Sequence, residues 1–268
     1  MAVTVDAMQT LPMHLSKIAN KWGLLVLFPA LAACLSLDVT DPRTTLPSGG
    51  VHVLFIGNSL TYTNDLPKTV EDIATSVGDT VRVATVARAN FAVIDHALGL
   101  SDAVDVIKSQ SWDYVVLQQG PTTVGVNRDT LIIATKLLDP IARSAGGRTA
   151  QLMAWPESDS RQLFPAVRAS SQAAAESVGG VFIPAGDAWR AALEADPSVQ
   201  LYGADGYHPA RLGTYLAALV VYERVTGHDA RLLPSNPNVG GTRLAASEQV
   251  VRFLQQIAHE TILRYPAN

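Results

Sequence analysis

Apolar residues along this chain fall into short unbroken runs, separated by longer stretches where they recur every three or four positions. The short runs are Val51 to Ile56, Val81 to Ala87, Tyr114 to Leu117, Thr149 to Ala154 and Val181 to Pro184. A run of this length without polar alternation suits a strand covered on both faces. The stretches between predict helices over 65–77, one or two within 91–109, then 127–145, 161–178 and 186–195. Asp65 stands where an N-cap belongs, with Pro67 in the first turn. Gly146-Gly147, Gly179-Gly180 and Gly227 supply helix stops. Residues 210–226 are apolar almost all round, and 243–264 form a last amphipathic helix, with a loop from Pro234 to Gly241 between them. Strands and helices that alternate at this length predict an α/β domain. Its core is a parallel five-stranded sheet with helices on both faces and right-handed crossovers.

Composition narrows the function. The chain has 268 residues, 48% of them hydrophobic, which is enough for one sizeable core. A net charge of -4 without a basic run argues against nucleic acid as a partner. The histidines are scattered, with no HExxH and no paired cysteines, so no protein-built metal site is expected.

The single cysteine, Cys34, follows Lys17, Lys21 and the apolar run Trp22 to Ala33. That order of basic, apolar and small residues reads as a secretory signal over 1–33, too short to span a bilayer comfortably. Leu31-Ala32-Ala33-Cys34 resembles the lipobox of bacterial lipoproteins. The resemblance implies cleavage before Cys34, lipid attachment to its sulfur, and export to the bacterial cell envelope with that lipid as the only membrane contact. An uncleaved anchor, or a start at Met13, is the other reading. Residues 34–50 carry breakers and little periodicity and read as a tether, with the folded domain over 51–268.

The candidate chemistry sits at the ends of that domain. Ser59 follows the first strand in Gly57-Asn58-Ser59-Leu60-Thr61, and Asp205 and His208 share the loop Asp205-Gly206-Tyr207-His208-Pro209. A histidine takes the proton of a nucleophilic serine, and a carboxylate holds the histidine's tautomer. In open α/β sheets ligands bind beyond the carboxyl ends of the strands, where Ser59 falls. Without its partners, Ser59 would read as a helix cap in an ordinary strand-to-helix turn.

These two blocks resemble those of the SGNH (GDSL-type) hydrolases, in a divergent bacterial branch, and Gly213-Thr214-Tyr215-Leu216-Ala217 and Thr226-Gly227 add to the likeness. The resemblance covers residues 51 to 227. It implies a three-layer flavodoxin-like sandwich and ester hydrolysis without a cofactor, with Ser59 as nucleophile, His208 as general base and Asp205 as its orienting partner. Two blocks depart from the family pattern. After the second strand, where the family has an oxyanion-binding glycine, the chain reads Ala87-Arg88-Ala89-Asn90-Phe91. Asn tolerates unusual φ, so Asn90 is the candidate donor through its backbone N–H, and a helix N-cap is its other role. After the third strand comes Gln118-Gln119-Gly120-Pro121-Thr122, with Thr122 where the family has asparagine. The Gln-Gly pair is similar to the Gln-Gly-Glu block of some carbohydrate acetylesterases. An amide from Gln119 or Gln118 would then join the N–H of Ser59 and Asn90 in the oxyanion hole, unless the glutamines only bond to nearby backbone. Among other polar residues, His96 reads as a surface histidine, Trp155 as packed or as a pocket wall, and Arg161 as solvated or as a contact to an acidic group. His228 and His259 show no partner. The expected substrate is a small-molecule or glycan ester with a short acyl group. The rival readings are an acyltransferase with the same triad and a non-catalytic glycan- or peptide-binding lipoprotein.

Overall fold

The computed structural model describes residues 38–40, 46–122 and 125–266. The signal segment and Cys34 lie outside the described residues. In chain order the strands of the main sheet are β1 (Asp38–Thr40), β2 (Val51–Gly57), β3 (Val81–Arg88), β4 (Tyr114–Gln118), β5 (Arg148–Leu152) and β6 (Val181–Ile183). Their spatial order is β1-β3-β2-β4-β5-β6. The five strands from β2 onward are parallel, as the apolar runs predict. β1 adds an antiparallel edge, with Asp38 opposite Arg88 and Thr40 opposite Val86.

Each parallel strand serves two cores. Val53 and Phe55 of β2 pack on one face, and Leu54 and Ile56 on the other, which is why the strand carries no polar alternation. One face is covered by α3 (Val93–Ala97), α4 (Ala103–Ser109) and α5 (Val126–Ser144). The other is covered by α2 (Leu66–Thr75), α6 (Phe164–Glu176), α7 (Ala185–Ala195), α8 (Arg211–Thr226) and α9 (Glu248–Arg264). α8 is apolar all round because α2, α7 and α9 surround it. Asp65 caps α2, its Oδ1 accepting from Lys68 N at 3.1 Å.

Two boundaries differ from the sequence expectation. The folded body starts before Val51, inside the 34–50 stretch expected to be a tether: β1 pairs with β3, and Leu46 joins the core. Its side chain is buried with Ile107 and Trp112, and its N–H donates to Gln110 Oε1 at 2.8 Å. The last helix starts at Glu248 rather than near 243, because Ser247 caps it through a bond from Val250 N. Thr242–Arg243 instead forms β8, paired with β7 (Asn238–Val239) in a small hairpin.

Stepping outward from β2 places β3 on one side and β4 on the other. The carboxyl ends of β2 and β4 therefore border a topological switch point, where a crevice opens naturally.

Candidate active site

Ser59 begins a one-turn helix, α1 (Ser59–Tyr62), directly after β2. The cap is Asn58 rather than the serine: Asn58 Oδ1 accepts from Leu60 N at 3.1 Å. Ser59 is left with its hydroxyl free for other work. His208 Nε2 lies 2.8 Å from Ser59 Oγ, and His208 Nδ1 lies 2.6 Å from Asp205 Oδ2. The carboxylate can only accept, so Nδ1 carries the proton and Nε2 accepts from the serine hydroxyl.

The loop carrying Asp205 and His208 is held from several sides. Asp205 Oδ1 accepts from the N–H of both Tyr207 and His208 at 3.0 Å. The bond to His208, joined by that from Tyr207 N–H, draws the Asp205 carboxyl down to about 2. It therefore stays ionised through the neutral range. Trp155 Nε1 donates to Tyr207 O at 3.1 Å, and Ser158 N to Gly206 O at 2.9 Å. Asn64 Nδ2 donates to Pro209 O at 2.8 Å. Trp155 is thus a packed brace, stacked on Trp189 at 3.8 Å, and not an exposed platform.

Three elements meet behind the serine. Gln118 Oε1, at the end of β4, accepts from Asn58 N at 3.0 Å and from Thr61 Oγ1 at 2.8 Å. Asn58 Nδ2 donates to Phe91 O at 3.0 Å, tying the loop after β3 to the turn after β2. His96 is fully buried rather than on the surface, because α3 packs it against the end of β2. Its Nε2 donates to Gly57 O at 2.9 Å, and its Nδ1 accepts from the Ser101 hydroxyl at 2.7 Å. Burial pushes its pKa down, and it serves as a neutral imidazole.

The predicted oxyanion residues divide. Asn90 has φ +62°, the left-handed conformation that favours glycine and asparagine. It does not cap α3, whose preceding residue is Ala92. Among the described residues, neither Asn90 N nor Ser59 N donates a hydrogen bond to the protein. Gln119 faces the crevice. Its Oε1 accepts from Val93 N at 3.0 Å, and its Nε2 donates one hydrogen to Thr122 Oγ1 at 2.8 Å, leaving a second. Gln118 is only 2% exposed, with its amide oxygen engaged and its Nε2 buried without a partner among the described residues. Its position makes it a brace for the turn rather than a donor facing the crevice.

Beside the triad lies an open cleft of about 400 Å³. Asn58, Asn90, Gln119, Thr122, Asn127 and Glu157 give it a polar lining, and Phe91 and Tyr207 an aromatic one. Asn58 and Tyr207 directly precede Ser59 and His208. Tyr207, Asn127 and Glu157 were not singled out from sequence. Of these, Tyr207 alone carries a sequence signal, its place between Asp205 and His208.

The remaining candidates have local partners. Arg161 Nε donates to Ser158 O at 3.1 Å. His228 Nδ1 lies 2.7 Å from Asp79 Oδ2. His259 Nδ1 lies 2.7 Å from Glu223 Oε1 and 3.2 Å from Asp229 Oδ1, bringing together three groups of metal-binding type. Their acceptors are already used, Glu223 Oε2 by Ala230 N and Asp229 by Arg231, so the trio is a hydrogen-bonded brace between α8 and α9.

Fold and site together define a class: the chain has the α/β fold of the SGNH (GDSL-type) hydrolases, with a serine, histidine and aspartate joined at the carboxyl end of its sheet. Among solved structures it is similar to a DUF4886 family protein from Bacteroides uniformis, with 18% identity and a TM-score of 0.69, over 82% of this chain and 97% of that one. It is also similar to a protein from Slackia heliotrinireducens assigned as an SGNH hydrolase, with 24% identity and a TM-score of 0.54, over 66% and 99% of the two chains. A catalytic mutant of an acetylxylan esterase from Geobacillus stearothermophilus aligns with 14% identity and a TM-score of 0.51, over 68% and 97%. No protein-family description and no curated protein matches the sequence.

Proposed function

We propose that this protein is a serine esterase that hydrolyses short-acyl esters, acetyl esters of carbohydrates above all. The observation that carries the reading is the continuous chain from Ser59 Oγ through the His208 ring to Asp205 Oδ2, with links of 2.8 and 2.6 Å. As Ser59 Oγ bonds to the ester carbonyl carbon, its proton passes to His208 Nε2. Asp205 keeps the imidazolium oriented and balances its charge. The carbonyl oxygen gains negative charge and is met by the N–H groups of Ser59 and Asn90 and the second hydrogen of Gln119 Nε2. When the tetrahedral intermediate collapses, the carbon–oxygen bond to the alcohol breaks and His208 returns the proton to it. Water then adds to the acyl-enzyme with His208 again as base, releasing the acid and restoring Ser59.

The substrate class rests on the cleft. Its lining of amide, hydroxyl and carboxylate side chains beside two aromatic rings suits a hydroxyl-rich alcohol such as a sugar better than a long acyl chain. Export and a lipid on Cys34 complete the proposal, and the mass of the mature N-terminal peptide tests that part.

A fluorophosphonate probe tests the chemistry. Labelling at Ser59 is expected, and Ser59→Ala and His208→Ala should each lower aryl acetate hydrolysis by about 10³-fold or more. A folded protein that neither labels nor turns over an acetyl ester would leave the esterase reading without support.

A further inference from the structure

A second site lies at the opposite end of the sheet. Arg148 opens β5 and Val181 opens β6, so both mark the amino ends of parallel strands, whereas Ser59 follows the carboxyl end of β2. There a cavity of about 290 Å³ opens among Arg148, Glu176, Phe182, Arg224, Arg264 and Tyr265. Arg224 comes from the last turn of α8 and is nine-tenths buried, at 9% exposure. Its Nη2 donates to Tyr265 O at 2.6 Å. Its Nε is buried without a hydrogen-bond partner among the described residues.

A guanidinium has five N–H donors, and a buried one keeps its desolvation cost unless acceptors surround it. The adjacent Glu223 acts on Arg224 through its charge and not as a hydrogen-bond acceptor, because its two carboxylate oxygens serve Ala230 N and His259 Nδ1. Burial pushes the Arg224 pKa down, Glu223 and Tyr114 oppose this, and the positive charge of Arg148 adds to the depression. Two cations therefore crowd one another across the cavity, and Arg264 brings a third. Among the described residues the lining sets one carboxylate, that of Glu176, against the three guanidinium groups, an excess of two positive charges.

Shape adds a second constraint. Phe182 and Tyr265 meet edge to face, with centroids 5.2 Å apart, and give the cavity an apolar wall. The volume comes close to the lower bound of small-molecule sites, about 300 Å³. It exceeds what a bare inorganic anion fills.

We propose that this cavity binds a small phosphate monoester, with the dianionic head between Arg148, Arg224 and Arg264 and the organic part against Phe182 and Tyr265. Arginine forks match phosphate oxygens in pairs, and a dianion balances the two excess charges. The site does not depend on the esterase reading and shares no residue with it.

Calorimetric titration of the full chain with phenyl phosphate, at fixed ionic strength, tests the proposal. Saturable one-site binding is expected, with inorganic phosphate weaker because it leaves the aromatic wall uncovered. Arg148 and Arg264 are exposed, so Arg148→Ala and Arg264→Ala should keep the fold, as circular dichroism will verify. Each should raise Kd about tenfold. Aryl acetate hydrolysis by both variants should match the parent. The absence of saturable heat would overturn the proposal. So would binding that survives unchanged in the double variant, or equal affinity for benzoate, a monoanion of the same ring.

Discussion

Gly57→Ala is the sharpest probe of how the candidate nucleophile is held. Gly57 ends β2, and its φ is not in the left-handed region, so its role is the room it leaves rather than the conformation it adopts. A Cβ there would overlap Thr61 Oγ1, lie 2.6 Å from Gln118 Oε1 and come 3.2 Å from Gln118 Cβ. Gln118 cannot yield without loss, because that same oxygen accepts from Asn58 N and from the Thr61 hydroxyl. Overpacking a tight site costs about 1–3 kcal/mol. Two weakened hydrogen bonds add about 1 kcal/mol each. The expected destabilisation is therefore about 3–5 kcal/mol, a large share of the roughly 5–15 kcal/mol that holds a domain folded. Urea denaturation followed by circular dichroism reads it as a midpoint lowered by about 2 M at an m-value of about 2 kcal/mol/M. Gly78→Ala is the control. Gly78 has φ +83° but no atom within 4 Å of an added Cβ. It should lose only the conformational cost of about 1 kcal/mol. If Gly57→Ala is no less stable than Gly78→Ala, the packing argument around Gln118 is wrong.

Three more outcomes are expected. At Asn90, Gly should leave acetyl ester turnover within about threefold of the parent, while Val, strained at φ +62°, should lower it about 10²-fold by displacing the N–H; equal rates for the two would mean that this N–H contributes nothing. Burial lowers the pKa of His96 below its ordinary value of about 6.5, so its contribution to stability is complete above that pH and declines as pH falls below it. His96→Gln should accordingly show a shallower loss of stability between pH 7 and 5 than the parent, and parallel slopes in urea midpoints would refute the assignment. Asp205, held down to about 2 by its bonds from His208 and Tyr207, stabilises the fold above the ordinary carboxylate pKa of about 3.9 and loses that effect as pH drops toward 2. The stability gap between the parent and Asp205→Asn should therefore be constant above pH 5 and close between pH 4 and 2, as urea midpoints at each pH will report.

What could be read in the sequence follows from how far each signal extends. The five parallel strands were legible because each is buried on both faces and must be apolar throughout, as Val53 to Ile56 are. Ser59 was legible as a serine just past a strand, and Asp205 and His208 as a short Asp-x-x-His block in a loop, although Ser59 and His208 lie 149 positions apart. The start of α9 was misplaced because Thr242 to Ala246 suits a helix locally, and only the Ser247 cap and the pairing of β8 with β7 decide against it. The supports of the serine turn were harder still to see. Gln118, 60 positions from Asn58, has the amide of a substrate donor, yet it is buried away from the cleft lining and its oxygen accepts from the Asn58 N–H. His96 looked like a surface residue, yet it donates to Gly57 O. Neither role follows from local pattern, because each depends on which strand ends become neighbours once the sheet order is set. The same sheet order makes the turn a shared structure of β2, β3 and β4. Gln118 holds its Asn58 N–H from β4, and the Phe91 carbonyl just after β3 holds its side-chain amide. A change at Gln118 should therefore disturb both Ser59 and the Asn90 loop, so the proposed nucleophile and the proposed oxyanion donor should fail together rather than one at a time.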